Sequence, residues 1–301
     1  MRGMPIIQGL VLITLALGGT MSFELQGHRG TRGLAPENTL MGFSRALEIG
    51  VDRLELDVGM TADGVLVAHH DTHINPDTTR LDGAWVEQTP SLRSLTWQEL
   101  NAYDVGRLRP GTAYAKRFEE LQGADGVRIP ALAEVAGLGA PLNVETKLDP
   151  TRPEATASPE DFARALLALE LDRSKVVVQS FDWRVFPHLG GAFETACLTE
   201  AATVVPGSAW TGGLDPASFD DLPSLVKAAG CDIWSPDHEQ LSAELVTTAH
   251  ALGLRVIPWT VNDTGRGAVL LQWGVDGLIT DYPDRFTSFS SPGQMGATPG
   301  L

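Results

Sequence analysis

From residue 172 to residue 280 the chain repeats one unit, a short apolar run with strand character followed by an amphipathic stretch with helical character. Strand-like runs fall at 175–179, 192–198, 231–235, 254–260 and 276–280, and helical stretches such as 242–252 and 265–273 lie between them. Strands joined by crossover helices run parallel, and a parallel sheet needs both of its faces covered. Upstream, 25–28, 53–58 and 142–145 supply three more runs, which brings the total to eight, the number that closes a parallel sheet on itself. The expected fold is therefore α/β, a single (β/α)8 barrel of the TIM type. Such a barrel needs about 250 residues, which fits within the 301 present.

One apolar run, 65–69, follows the second strand too closely for a crossover helix. Asp63-Gly64 between them is a tight-turn signal, so the run should fold back antiparallel. In the simplest register, paired positions sum to 125 and Glu55 lies opposite His70. The stretch 72–128 is rich in Pro, Gly and charge, with one helix expected at 96–103. An insertion of this length usually carries function, and here it is expected to cap a cleft at the barrel mouth.

At 43% hydrophobic and 20% charged the chain can bury a sizeable core, and a formal net charge of −16 argues against a nucleic-acid partner. Residues 1–22 carry one Arg, then an uncharged apolar stretch at 6–17 and several small residues. That pattern predicts a signal peptide, too short in its apolar part for a membrane span of about 20 residues. The expectation is an exported protein, periplasmic or secreted, with no stable membrane insertion after cleavage. The barrel would occupy 23–290, including the 72–128 cap, with a disordered tail at 291–301; the oligomeric state is open. Cys197 and Cys231 fall in neighbouring predicted strands. They are read as two buried free thiols, with a bridge as the alternative in an oxidising compartment.

The chemistry-bearing residues cluster where strands end. Glu55 and Asp57 are two apart on one strand, so both face the same side, and at a barrel strand's C-terminal end that side is the mouth. Glu145, from the next parallel strand, makes a third acid. Inward carboxylates repel unless a cation neutralises them, and a hard divalent ion with oxygen ligands does so, with Ca2+ favoured over Mg2+ for an exported protein. His28 and His70 end strands at the same level and can share acid and base roles. Arg29 and Lys147 are the expected phosphate clamps, and Phe181 and Trp259, with Trp234, are expected to line the cleft. His69 should face away from His70, and Pro36-Glu37-Asn38-Thr39 reads mainly as a helix start. No P-loop and no Gly-x-Ser-x-Gly elbow is present. Two histidines, three acids and two cations are what hydrolysis of a phosphodiester around an oxygen-ligated metal ion requires.

These strings resemble the glycerophosphodiester phosphodiesterase family: Gln26-Gly27-His28-Arg29-Gly30, Ala35-Pro36-Glu37-Asn38-Thr39, Glu55-Leu56-Asp57-Val58, His70-Asp71, Glu145-Thr146-Lys147, Gln179-Ser180-Phe181-Asp182, Trp259-Thr260-Val261-Asn262 and Thr280-Asp281-Tyr282-Pro283. The resemblance implies a phospholipase-C-like phosphodiesterase barrel. It implies acid and base roles for His28 and His70, and Ca2+ or Mg2+ held by Glu55, Asp57 and Glu145. The reaction would convert a small-molecule glycerophosphodiester into sn-glycerol 3-phosphate and an alcohol. The stretch after His70-Asp71 departs from the Arg-Thr-Thr of many members, which leaves head-group preference open. Rival readings are a phosphodiesterase of the phospholipase C or D kind acting on lysophospholipids, a non-catalytic glycerophosphodiester-binding protein, and a glycosidase using Glu55 and Glu145. Retention of both histidines weighs against pure binding, and a glycosidase leaves Asp57, Arg29 and Lys147 without a role.

Overall fold

β-Branched and aromatic residues favour extended, half-buried backbone, and the apolar runs fold accordingly. The computed structural model describes residues 23–289; the expected export segment 1–22 and the tail 291–301 lie outside the described residues. The strands are β1 (Glu24–Gly27), β2 (Arg53–Met60), β3 (Leu66–Ala68), β4 (Arg80–Leu81), β5 (Ala84–Trp85), β6 (Leu142–Thr146), β7 (Val176–Ser180), β8 (Glu194–Thr199), β9 (Ile233–Pro236), β10 (Arg255–Val256) and β11 (Gly277–Thr280). All but β3, β4 and β5 form one parallel sheet in which sequence neighbours are spatial neighbours, and β1 also pairs with β11. The ring closes where the N–H groups of Asp276 and Ile279 donate to the carbonyls of Val256 and Pro258, and that of Val261 donates to Ile279, each at 2.9 Å. The molecule is an eight-stranded α/β barrel of the TIM type. β10 is shorter than the run anticipated at 254–260, because Pro258 has no N–H to give the ladder.

Side chains alternate across each strand. Leu54, Leu56, Val58, Val144, Val178, Trp234 and Leu278 point outward into the main core against the helices. Val177, Ala196, Ile233, Ile257 and Ile279 form a smaller apolar cluster inside the barrel. The helices are α1 (Leu40–Ile49), α2 (Trp97–Leu100), α3 (Ala113–Arg117), α4 (Leu132–Ala136), α5 (Pro159–Leu167), α6 (Phe186–Leu189), α7 (Leu222–Ala228), α8 (Ala243–Ala251) and α9 (Thr264–Gln272). Thr39, Ser158, Asp221, Ser242 and Asp263 open five of them by accepting a backbone N–H from the first turn. At the opposite end of the barrel one device recurs. Asp52, Asp232 and Asp276 each precede a strand and accept the N–H of a residue in the neighbouring strand: Leu25, Thr195 and Val256.

Three expectations are corrected. Paired positions in the β2–β3 hairpin sum to 126, not 125, with Val58 opposite Ala68. The loop is Ala62-Asp63-Gly64, one residue shorter than assumed, closed by Thr61 N–H to Val65 O at 3.0 Å with Gly64 in the left-handed region. A three-residue loop ending in a left-handed glycine is a standard hairpin closure; it puts His69 beside Asp57, so the expected pairing of Glu55 with His70 does not form. Second, the 72–128 stretch is more ordered than its composition suggests. Ile74, Val86, Leu92, Leu100, Tyr103 and Val105 pack with Val67 and Ile129 into a separate buried cluster. The Asp82-Gly83 turn joins β4 and β5 there, while the helix expected at 96–103 is the single turn α2. Third, Cys197 and Cys231 are bonded, not free. Cys197 is on the outward face of β8 and Cys231 leads into β9, which puts their Cα atoms 5.9 Å apart, a bridging distance.

The bridge closes a separation of 34 residues, so a Cys197→Ala/Cys231→Ala variant should lose about 2–4 kcal/mol of stability. Urea denaturation with and without reductant measures this. A midpoint that neither reductant nor the double substitution moves would contradict it.

Candidate active site

β2 delivers Glu55 and Asp57 to the barrel interior, and its parallel register with β6 sets Glu145 beside Asp57. One oxygen from each of the three carboxylates lies within 4.8 Å of the others, and all three residues are buried. Burial, then the charges of Asp57 and Glu145, hold Glu55 well above the usual carboxylate range. Burial also pushes Glu145 up to about 7, with Lys147 opposing and Asp57 reinforcing it. Asp57 goes the other way: burial works against its charge, but Arg29, His70 and Lys147 outweigh it and hold it well below its ordinary value. Its Oδ1 is buried without a hydrogen bond. A pocket of hard oxygens in which two carboxylates are driven toward protonation and one buried oxygen lacks a hydrogen bond fits a hard cation and not a thiophilic one.

The two expected clamps brace this trio. Arg29 has a left-handed backbone, φ 50°, which aims its own N–H at Glu55 Oε2, 2.8 Å away. Its guanidinium reaches Glu37 at 2.9 Å and Asp57 at 3.0 Å. The next residue must be glycine: a Cβ on Gly30 would stand 2.7 Å from the backbone of Gly42 in α1. Lys147 Nζ lies 2.6 Å from Glu145 and 3.5 Å from Asp57. Asn38 donates to Asp57 Oδ2 at 2.8 Å and accepts the Asp57 N–H at 3.1 Å. Gln179, itself held by Asn143, donates to Glu55 Oε1 at 2.8 Å.

Each histidine leans on a carboxylate. His28 Nδ1 is 2.7 Å from Asp281 Oδ1, and His70 Nδ1 is 2.7 Å from Asp71 Oδ1. An ionised carboxylate only accepts, so Nδ1 carries the proton in both rings and Nε2 is left with its lone pair. Asp281 is fixed further by a two-pronged contact from Arg32, at 2.7 and 3.0 Å, and by Asn262 at 2.7 Å. Burial, then Arg32, lower His28 to about 4, against the pull of Asp281. His70 is lowered too, by burial and then by Lys147 and Arg29. His28, Arg29, Glu55, His70, Glu145 and Lys147 line one cleft of about 200 Å3, with Phe181 and Trp259 on its wall. These two rings meet edge to face at 5.5 Å.

Nine of the ten residues expected at the cleft from the sequence thus come together. Trp234 does not: it is fully buried on the outer side of β9. Pro36-Glu37-Asn38-Thr39 is more than a helix start, since Glu37 holds Arg29 and Asn38 holds Asp57. Sequence reading also passed over Asp281, Arg32, Asp71 and Gln179. Asp281 ends the eighth barrel strand's run as His28 ends the first, and that matching position, with its place in the Thr280-Asp281-Tyr282-Pro283 string, was its signal.

The sequence profile of the Glycerophosphoryl diester phosphodiesterase family matches residues 28–285. A glycerophosphodiester phosphodiesterase of Bacillus subtilis (strain 168) is 29% identical over 269 residues, covering 86% of this chain and 83% of that protein. A solved structure from Silicibacter pomeroyi DSS-3, assigned to the same family, is 34% identical with a TM-score of 0.80, covering 91% of this chain and 94% of its own. A phosphodiesterase of Oleispira antarctica, solved with its product sn-glycerol-3-phosphate, shares the fold at 21% identity and a TM-score of 0.64, covering 89% and 96%. The chain belongs to the glycerophosphoryl diester phosphodiesterase family and is a glycerophosphodiester phosphodiesterase.

Asp281 also carries a stability prediction. Burial opposes its ionisation, but the His28 and Arg32 cations and their hydrogen bonds hold it well below the ordinary value; since His28 is itself neutral at pH 7, Arg32 supplies the lasting charge there. A depressed pKa contributes stability above the unfolded value, about 3.9, and loses it as pH falls toward the folded one. Asp281→Asn should therefore cost about 3 kcal/mol at pH 7, with the gap to the native protein narrowing below about pH 4. Denaturant melts at both pH values measure this, and a gap that widens with acid would refute the assignment.

Proposed function

We propose that this phosphodiesterase hydrolyses glycerophosphodiesters to sn-glycerol 3-phosphate and an alcohol by acid–base catalysis between His28 and His70. The observation that carries this reading is the presence, in one cleft, of two histidines oriented by carboxylates beside a buried carboxylate trio. Glu55, Asp57 and Glu145 would hold one divalent cation, which when bound neutralises charge on the phosphoryl oxygens. Arg29 and Lys147 would orient the phosphodiester, and Phe181 and Trp259 would pack on its glycerol part.

His28, with Nδ1 engaged by Asp281, offers Nε2 to accept the proton of the attacking hydroxyl. His70 is the more exposed ring, its side chain 34% accessible against 11% for His28. It has Asp71 to support an imidazolium and, once protonated at Nε2, would pass that proton to the leaving alcohol oxygen as the P–O bond breaks. The Oleispira protein's product complex supports sn-glycerol 3-phosphate as the common product.

The proposed organisation is a signal peptide at 1–22, a barrel at 23–290 with a cap at 72–128, and a tail at 291–301. Among the described residues no helix is long and apolar enough to cross a membrane. The Cys197–Cys231 bridge favours an oxidising, exported location, where Ca2+ is the more available ion.

Glycerophosphocholine hydrolysis by the purified chain should require Ca2+ or Mg2+ and cease with EDTA. Substituting His28→Ala or His70→Ala should each lower kcat about 10²–10⁴-fold, and Glu55→Gln should abolish metal-dependent turnover. Full activity in EDTA, or in His28→Ala, would sink the reading.

A further inference from the structure

Every cation so far placed in the cleft already has a carboxylate partner, so Arg29 and Lys147 can orient a phosphodiester without adding uncompensated charge. Arg29 pairs with Asp57 and Glu37, Arg32 with Asp281, and Lys147 with Glu145 and Asp57. With a divalent ion bound, the carboxylates of Glu37, Glu55, Asp57, Glu145 and Asp281 are matched by these three side chains and the ion. A phosphodiester then brings one more negative charge into a partly desolvated cleft, and such a charge needs a partner.

One further cation lines the cleft: Arg117, the last residue of α3. It is the only residue of the 72–128 stretch that lines this cleft. Among the described residues it has no ion pair, and its side chain is exposed. Its guanidinium lies over the ring of Phe118, 5.3 Å from the centroid, and Phe118 is itself buried. The same ring carries Arg32 at 4.9 Å. An aromatic face steadies a guanidinium without neutralising it, so its N–H fork remains free for an anion. A merely solvated surface arginine needs neither the aromatic seat nor a place in the catalytic cleft.

We propose that Arg117 is a further substrate-binding residue, a phosphoryl-oxygen ligand that the inserted segment contributes to the barrel's site. The proposal rests on the phosphodiesterase reading above and deepens it: recognition of the phosphate is divided between the barrel and its insertion. Because the charge Arg117 meets is present in substrate and product alike, its loss should weaken binding more than it slows chemistry.

The test is isothermal titration of sn-glycerol 3-phosphate into the intact, Ca2+-loaded chain, comparing the native protein with Arg117→Ala, Arg117→Lys and Lys116→Ala. Lys116 is the neighbouring cation outside the cleft and controls for general charge in a protein of net charge −16. The expected result is affinity about tenfold weaker in Arg117→Ala, partly restored in Arg117→Lys and unchanged in Lys116→Ala. With glycerophosphocholine, KM should rise by a similar factor, more than kcat falls. Equal affinity in Arg117→Ala, an equal loss in Lys116→Ala, or no binding by the native protein would overturn the proposal. Matching melting temperatures show that the variants fold. The underlying reading fails separately, if the native protein binds the product yet does not hydrolyse glycerophosphocholine.

Discussion

Three carboxylates held within 4.8 Å of one another in a buried pocket repel strongly, and the surrounding structure is arranged around that repulsion. Two of them are driven toward protonation, whereas Asp57 is kept ionised by Arg29 and Lys147. Asn38, Gln179 and the backbone N–H of Arg29 then fix which oxygens point inward. A pocket like this is costly as a bare structural feature, because burying unpaired charge destabilises a fold by several kcal/mol. It is consistent with a cation as the missing member.

The barrel is what makes such a cluster affordable. Parallel strands place residues of equal register side by side, so Asp57 and Glu145 adjoin without any loop having to carry them. The outward neighbours Leu56 and Val144 anchor the same strands in the main core, which fixes the inward acids on rigid backbone. The histidines are held in the same way from the strand ends. His28 follows β1 and finds Asp281 just past β11, its neighbour in the closed ring. Ring closure between β1 and β11 is thus part of the site, since it sets the tautomer of one imidazole.

Much of this was legible from the sequence because it obeys short-range periodicity. Eight apolar runs, the same-face spacing of Glu55 and Asp57, and the strand-end placement of His28 and His70 need only the period of a strand. What escaped needed distances across the fold. The one-residue error in the hairpin arose because Asp-Gly marks a turn without fixing its length, and Gly64 settled it by taking a left-handed conformation. The disulfide stood only as the alternative to free thiols because pairing depends on the β8–β9 register, which composition does not reveal. Asp281, Arg32 and Asn38 were passed over because each acts on a residue far away in sequence. The buried cluster beneath the 72–128 stretch was hidden by the polar and turn-forming residues that surround its few apolar ones.

The central claim is that Glu55, Asp57 and Glu145 form a cation site. Isothermal titration of Ca2+ into the metal-free intact chain tests it most directly. The expected result is one saturable site per chain, weakened at least about tenfold by Glu145→Gln, a loss on the scale of one carboxylate ligand. Absence of saturable binding of either Ca2+ or Mg2+, or affinity unchanged by Glu145→Gln, would contradict the account.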